Sequence, residues 1–223
     1  PVGVRRMIAP LAVLAVLVGG CADRLEPEDE TPPPLENPTK QLAEWSELHA
    51  GPYGVPERAL QSYAYAAAIM DRSAPECGIG WPTLAAIGSV MSNHGRAEDA
   101  RISDNGIVAP ELRNLDLADA ELAKERVSDT DAGRLDGTST QDVPMGPMQF
   151  SPSRWQQWAT DADNDGEPNP DSFDDAALST ARFLCAVGGD LRAPDGWTRA
   201  VSQFYPSSLF VMKVHDVSVT YSR

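Results

Sequence analysis

Cys77-Gly-Ile-Gly-Trp-Pro-Thr-Leu-Ala-Ala-Ile-Gly-Ser-Val-Met-Ser-Asn-His-Gly-Arg96 is the stretch on which the reading of the chain turns. Pro82 suits an early helical position, because its ring presets φ and its missing N–H would have gone unpaired there. Gly95 suits a left-handed residue past a helix end. A helix from about Pro82 to Asn93 is therefore expected. Leu84, Ile87, Gly88 and Met91 recur on one face, so the helix reads as amphipathic and docked on a core. On spacing alone Met91 is a core methionine, an unbranched thioether that fills a gap.

The chain has 223 residues, of which 42% are hydrophobic, enough to bury one sizeable core. The formal net charge of −15 excludes nucleic acid as the partner, since phosphates need Lys and Arg to displace their counterions. Neutral glycans stay compatible, because they are gripped by hydrogen bonds and aromatic faces.

Arg5 and Arg6 precede an apolar run from Met7 to Val18, followed by Gly19, Gly20 and Cys21. This is the layout of a bacterial lipoprotein signal peptide over residues 1–20, with a diacylglyceryl thioether expected on Cys21. Pro1 is not an initiator, so further residues are expected before it. The competing reading is an N-terminal membrane anchor, although the run falls short of the about 20 residues that span a bilayer. Lipidated Cys21 would place the protein on the extracytoplasmic face of the cell envelope, with the membrane as a partner. Residues 21–40 carry Glu26, Glu28, Asp29, Glu30 and Glu36 among five prolines, and read as a stiff, solvated tether. One domain is expected over residues 41–223, with helices from Gln41 to His49 and from Pro56 to Met70. The second of these should face the core with Leu60, Tyr63, Ala64 and Ala67.

With Cys21 lipidated, Cys77 and Cys185 remain in an oxidising compartment, and a disulfide between them is expected. Closing so long a loop would stabilise the fold by about 4–5 kcal/mol in the chain-entropy account. Two buried free thiols are the alternative.

Trp81 to Arg96 resembles the signature helix of the actinobacterial lytic murein transglycosylases related to membrane-bound lytic transglycosylase B. Trp81, Leu84, Ala85, Ile87, Gly88, Val90, Ser92, His94, Gly95 and Arg96 match that pattern. The family's catalytic glutamate does not, and Met91 stands in its place. A second block, Met145 to Trp155, holds the family's Gly-Pro-Met-Gln-Phe intact at Gly146–Phe150. Asp129 to Gly137 resembles a third family stretch, and Gly196 to Ser207 a fourth, with Phe204 and Tyr205 replacing a tyrosine and an asparagine. The resemblance implies a mainly α, lysozyme-like lytic transglycosylase fold with an EF-hand-like loop. Its groove should lie between the signature helix, Gly146–Phe150 and the Phe204 turn, and bind peptidoglycan strands of alternating MurNAc and GlcNAc. Met148, Gln149, Phe204 and Tyr205 are the implied substrate-binding residues. The Gln149 amide can donate to and accept from sugar groups, or can instead cap the helix starting near Pro152.

Asp161-Ala-Asp163-Asn-Asp165-Gly166-Glu167 sets acids at alternate positions before a glycine, the opening of a calcium loop. The standard twelfth-position glutamate is absent, because Ser172 stands there. Relatives close a longer loop with a later carboxylate, and Asp175 stands at that point. The expected Ca²⁺ ligands are Asp161, Asp163, Asp165, the Glu167 carbonyl and Asp175. The alternative is an acidic turn in which Asp174 or Asp175 caps a helix over Ala176–Ala186.

In the family mechanism one carboxylic acid protonates the glycosidic oxygen and then takes a proton from the sugar's own O6 hydroxyl, leaving a 1,6-anhydro ring. A thioether can do neither, so Met91 removes the general acid and base. Phe204 is consistent with that loss, since a tyrosine hydroxyl that had oriented the carboxylate would be unpaired beside methionine. Three functions follow. The expected one is a catalytically impaired envelope lipoprotein that binds glycan strands, holding or sensing them or recruiting active wall enzymes. The second is an active lytic transglycosylase using Glu98 or Asp99 as substitute acid, and the third a structural partner without glycan affinity.

Overall fold

The computed structural model describes residues 38–115 and 128–223. The signal peptide, Cys21 and the tether up to residue 37 lie outside the described residues, as do residues 116–127. A 3-10 turn (Pro38–Leu42) leads into α1 (Ala43–Tyr53), which Gly54 ends in a left-handed conformation. Thr39 in that turn is fully buried, so the chain is already packed before Gln41.

Helix α2 (Glu57–Ser73) begins behind Pro56 and buries Ala59, Leu60, Tyr63, Ala66 and Met70. Ala64 and Ala67 are only half-buried. The buried stripe is thus turned towards Ala59 and Ala66, the positions beside Leu60 and Tyr63 on the face that meets α3 (Trp81–Ser92). Helix α3 has Pro82 in its first turn, as the sequence suggests. It is buried continuously from Leu84 to Gly88, because α2 packs on one side and a C-terminal helix on the other. Its stop comes at Asn93 (φ 50°), whose N–H bonds the Gly88 and Ser89 carbonyls, two residues before Gly95. Asn93, His94 and Gly95 are all left-handed, with φ of 50°, 58° and 73°, so the chain doubles back sharply below α3.

A short 3-10 turn (Ala97–Asp99) follows, then strands β1 (Arg101–Ile102) and β2 (Val108–Ala109), antiparallel with Ile102 opposite Val108. Helix α4 (Pro152–Trp158) precedes the acidic loop, and α5 (Phe173–Gly188) leaves it. Helices α6 (Pro194–Phe204) and α7 (Ser208–Tyr221) complete a mainly α architecture. Prolines in the first turn start α3, α4 and α6. Serine hydroxyls cap α5 and α7, Ser172 accepting from the Asp175 N–H and Ser207 from the Phe210 N–H. Among the described residues no helix is long and apolar enough to cross a membrane.

Helix α5 is the central strut, packed on α2 and α6. Asp174 in its first turn is fully buried and is gripped by both Nη atoms of Arg58 on α2, with Ser62 Oγ donating at 2.6 Å. Its other end is tied by a Cys77–Cys185 disulfide spanning 108 residues, with Cα atoms 5.3 Å apart. That cross-link joins the segment entering α3 to α5, as the cysteine inventory suggests.

The α2–α3 contact is close enough to demand a glycine. A Cβ on Gly88 would lie 1.9 Å from the Tyr63 hydroxyl oxygen. Gly88→Ala is expected to lower stability by about 1–3 kcal/mol through overpacking. Urea denaturation of the variant and the parent checks it.

Candidate functional site

A groove of about 640 Å³ opens at the C-terminal end of α3. Ser89, Val90, Met91, Ser92 and Asn93 form one side, and Phe210, Lys213, Asp216 and Val217 of α7 form the other. Tyr205, Leu115, Ala97 and Glu98 close its ends. Met91 is 2% exposed, so its thioether belongs to the core and meets the groove only at its base. The lining mixes apolar surface with hydroxyl, amide and charged groups, the composition that suits an amphipathic ligand.

The other sequence-derived site residues divide sharply. Tyr205 lines the groove and packs on Phe210, with ring centroids 4.9 Å apart. Phe204 does not line it. Its ring is buried edge-on against Phe150 and Phe183, at 5.7 and 5.8 Å. The structure therefore brings Tyr205, not Phe204, to the wall that Met91 shares, and the expected pairing of Met91 with Phe204 is not seen there. Met148 is fully buried. Gln149 is 8% exposed and spends its amide internally, Oε1 accepting from the Leu115 N–H at 3.0 Å and Nε2 donating to the Gly146 carbonyl at 2.8 Å. It caps no helix. It reaches the groove only through Leu115, whose position it fixes.

Of the two candidate substitute acids, Glu98 lines the groove and Asp99 does not. Both residues are left-handed, at φ 52° and 65°. Lys213, Asp216 and Asn93 were not singled out from the sequence. The helical spacing of Lys213 and Asp216 with Val217 could have placed them on one α7 face, but which face meets the groove depends on how α7 docks.

That docking is set by His94. The imidazole is 2% exposed and lies between two tyrosines, Nδ1 3.0 Å from the Tyr63 hydroxyl on α2 and Nε2 3.1 Å from the Tyr221 hydroxyl on α7. A neutral imidazole has one donor and one acceptor, so one tyrosine donates to the ring and the other accepts from it. Burial lowers the His94 pKa to about 4, and the nearby Arg96 charge acts in the same direction.

The acidic loop between α4 and α5 gathers three carboxylates. Asp161, Asp163 and Asp175 each offer an oxygen, and these oxygens lie within 4.8 Å of one another. Asp175 is fully buried, and both its oxygens accept backbone N–H groups, from Ala162 at 2.6 Å and Asn169 at 2.9 Å. Burial raises its pKa to about 7, and Asp163 is raised for the same reason. Three converging carboxylates with no cationic side chain among them fit a hard divalent cation, which would cancel their repulsion. The side chains of Asp165 and Glu167 are exposed on the outer turn and are not part of this cluster of side-chain carboxylates. Neither Asp174 nor Asp175 caps α5 with its side chain: Ser172 does, Asp174 holds Arg58, and Asp175 ties the loop. A second triad, Asp129, Asp131 and Asp142, converges in the loop before Met145.

Residues 128–213 match the family model described as Transglycosylase SLT domain. The match takes in the Gly-Pro-Met-Gln-Phe segment, the acidic loop and α4–α6, and stops within α7. No curated protein sequence matches the chain. Among solved structures, it is similar to SltB3 of Pseudomonas aeruginosa in complex with NAG-anhNAM-pentapeptide (16% identity, 82% of this chain and 70% of that one, TM-score 0.44). It is also similar to the Escherichia coli lytic transglycosylase Slt35 in complex with calcium (16% identity, 80% and 78% covered, TM-score 0.43). A third is Slt35 with bulgecin A, at 15% identity, 86% and 80% coverage and TM-score 0.43.

The His94 environment predicts an acid-sensitive fold. In the unfolded chain the imidazole protonates near pH 6.5, whereas in the folded protein it stays neutral down to about 4. The unfolded state therefore binds the extra proton first, and stability from this group is intact above about pH 6.5 and lost as the pH falls towards 4. Going from pH 7 to pH 5 should cost about 2 kcal/mol more in the parent than in His94→Gln. Urea denaturation of both proteins at the two pH values measures that difference.

Proposed function

We propose that this chain is a cell-envelope lipoprotein that binds peptidoglycan glycan strands in the α3–α7 groove and is impaired in cleaving them. The observation that carries this is Met91 at the base of that groove, at the position where the resembled family keeps its acid. The match of residues 128–213 to a transglycosylase family model supports the ligand class. Neutral sugars bind by hydrogen bonds and by stacking on aromatic faces, and the groove offers Ser89, Asn93 and the ring of Tyr205 for both. Gln149 serves the strand indirectly, by holding Leu115 in the wall. Lipidation at Cys21 would fix the protein to the extracytoplasmic face of the membrane, and the acidic tether would hold the domain towards the wall.

A resident Ca²⁺ would be held by Asp161, Asp163 and Asp175, and its role would be to lock the acidic loop to the start of α5. If it binds, millimolar Ca²⁺ should raise the melting temperature by several degrees, since saturation at 100-fold over the dissociation constant contributes about 2.7 kcal/mol. Asp175→Asn should abolish the shift. No shift in the parent at millimolar Ca²⁺ removes the metal.

Glu98 supports a second reading, an active enzyme. It lines the same groove as Met91 and is held at φ 52°, a conformation that non-glycine residues seldom adopt outside functional turns. In that reading the Glu98 carboxylic acid gives its proton to the glycosidic oxygen as the bond to muramyl C1 breaks. The resulting carboxylate takes the O6–H proton as O6 bonds to C1.

One experiment separates the two. The protein is incubated with purified peptidoglycan, sedimentation with the insoluble wall is measured, and released anhydromuropeptides are sought by mass spectrometry. The binding reading expects co-sedimentation without anhydro products, and a gain of product in Met91→Glu of about 10²–10⁴ fold over the parent background. Products from the parent that Glu98→Gln abolishes would establish the enzyme instead. A melting curve of Met91→Glu accompanies the assay, because a carboxylate at so buried a position costs stability unless it finds partners.

A further inference from the structure

The groove holds three charged side chains, Glu98 at one end and Lys213 and Asp216 on α7, and their signs are unequal. Lys213 is the groove's one cation among the described residues. It is exposed, and its ammonium makes no hydrogen bond or ion pair among the described residues. Asp216, three residues on, faces His215 instead, 3.3 Å away. An exposed, unpaired ammonium in a groove that also holds two carboxylates contributes little to stability, and the groove wall would be as well filled by an apolar side chain.

We propose that Lys213 sets the register of the bound strand by pairing with a carboxylate borne by the muramyl residue. This rests on the glycan-binding reading of the groove. The ligand's chemistry makes the argument. In an alternating strand only the muramyl residues carry acid, either the lactyl carboxylate itself, when the peptide has been removed, or carboxylates further along the peptide attached there. The glucosaminyl residues carry none. A strand shifted by one sugar places its carboxylates at different points of the groove. Near Glu98 or Asp216 they are repelled, and near Lys213 they are paired, so the charges discriminate between registers that hydrogen bonds to sugar hydroxyls would tolerate alike. Repulsion at the wrong place and attraction at the right one act in the same direction. Lys213 thus also distinguishes murein strands from chains of GlcNAc alone.

The test measures binding of the full chain and of Lys213→Met and Lys213→Arg to three probes: GlcNAc oligomers, murein strands stripped of peptides, and murein strands that keep them. Lys213→Met should weaken binding of a muramyl probe about two- to fivefold, the range of an exposed ion pair, and leave GlcNAc oligomers unchanged. Lys213→Arg should restore the parent affinity, and the difference should shrink at high salt. A loss confined to stripped strands assigns the lactyl carboxylate, and one confined to peptide-bearing strands assigns a peptide carboxylate. Equal effects of Lys213→Met on all three probes, or none on any, overturn the register role while leaving glycan binding standing. A parent protein that binds none of the three overturns both.

Discussion

Everything at the groove depends on how closely α2 and α7 are drawn to α3, and that spacing is set around one imidazole. His94 can bond both Tyr63 and Tyr221 because three successive left-handed residues fold the chain back beneath α3 and return its ring towards the helix. Tyr63 in turn can reach the ring because Gly88 presents no side chain to its hydroxyl. A polar group buried this deeply is favourable only when both nitrogens are satisfied. The requirement fixes the separation of three helices more tightly than apolar packing alone, which tolerates sliding. The groove is the gap that remains where α3 ends and α7 continues.

This construction separates the scaffold from the chemistry. The residues that shape the gap are Gly88, His94 and Gln149, and all of them act from inside the protein. The residue at the base of the gap is a methionine that packs in the same core. Among the described residues no member of the frame uses Met91 as a hydrogen-bond partner, so the frame holds independently of it. An apolar base leaves no buried charge there that would need compensation.

The helical architecture was legible because its signals are local. Prolines at helix starts, the spacing of Leu60 and Tyr63, and the two cysteines left after Cys21 each reported on their own neighbourhood. The helix end near Asn93 was legible too: asparagine tolerates left-handed backbone and stops α3 there, and Gly95 follows in the left-handed conformation expected past the end. The groove was read less well. Gln149 and Phe204 looked like ligand contacts because polar and aromatic residues in a signature segment are ambiguous until their partners are known. In the structure the amide is consumed by Leu115 and Gly146, and the ring by Phe150 and Phe183. Lys213 and Asp216 escaped notice for the opposite reason, since exposed charges on a terminal helix resemble any solvated face.

On the proposed reading, the groove's charges bear on how an acidic protein holds an acidic polymer. A net charge of −15 repels murein carboxylates at long range, but salt at physiological strength limits that repulsion to about 8 Å. Glu98, Asp216 and Lys213 are the charged side chains that line the groove among the described residues, and on the proposed reading their arrangement matters more than their sum. On that reading the weak average repulsion would discourage unspecific adhesion to the wall, and a single cation would then make one alignment better than its neighbours. The Met91 thioether at the base supplies no proton. Selective holding without cleavage is the outcome that the proposed reading draws from these charges and the thioether together.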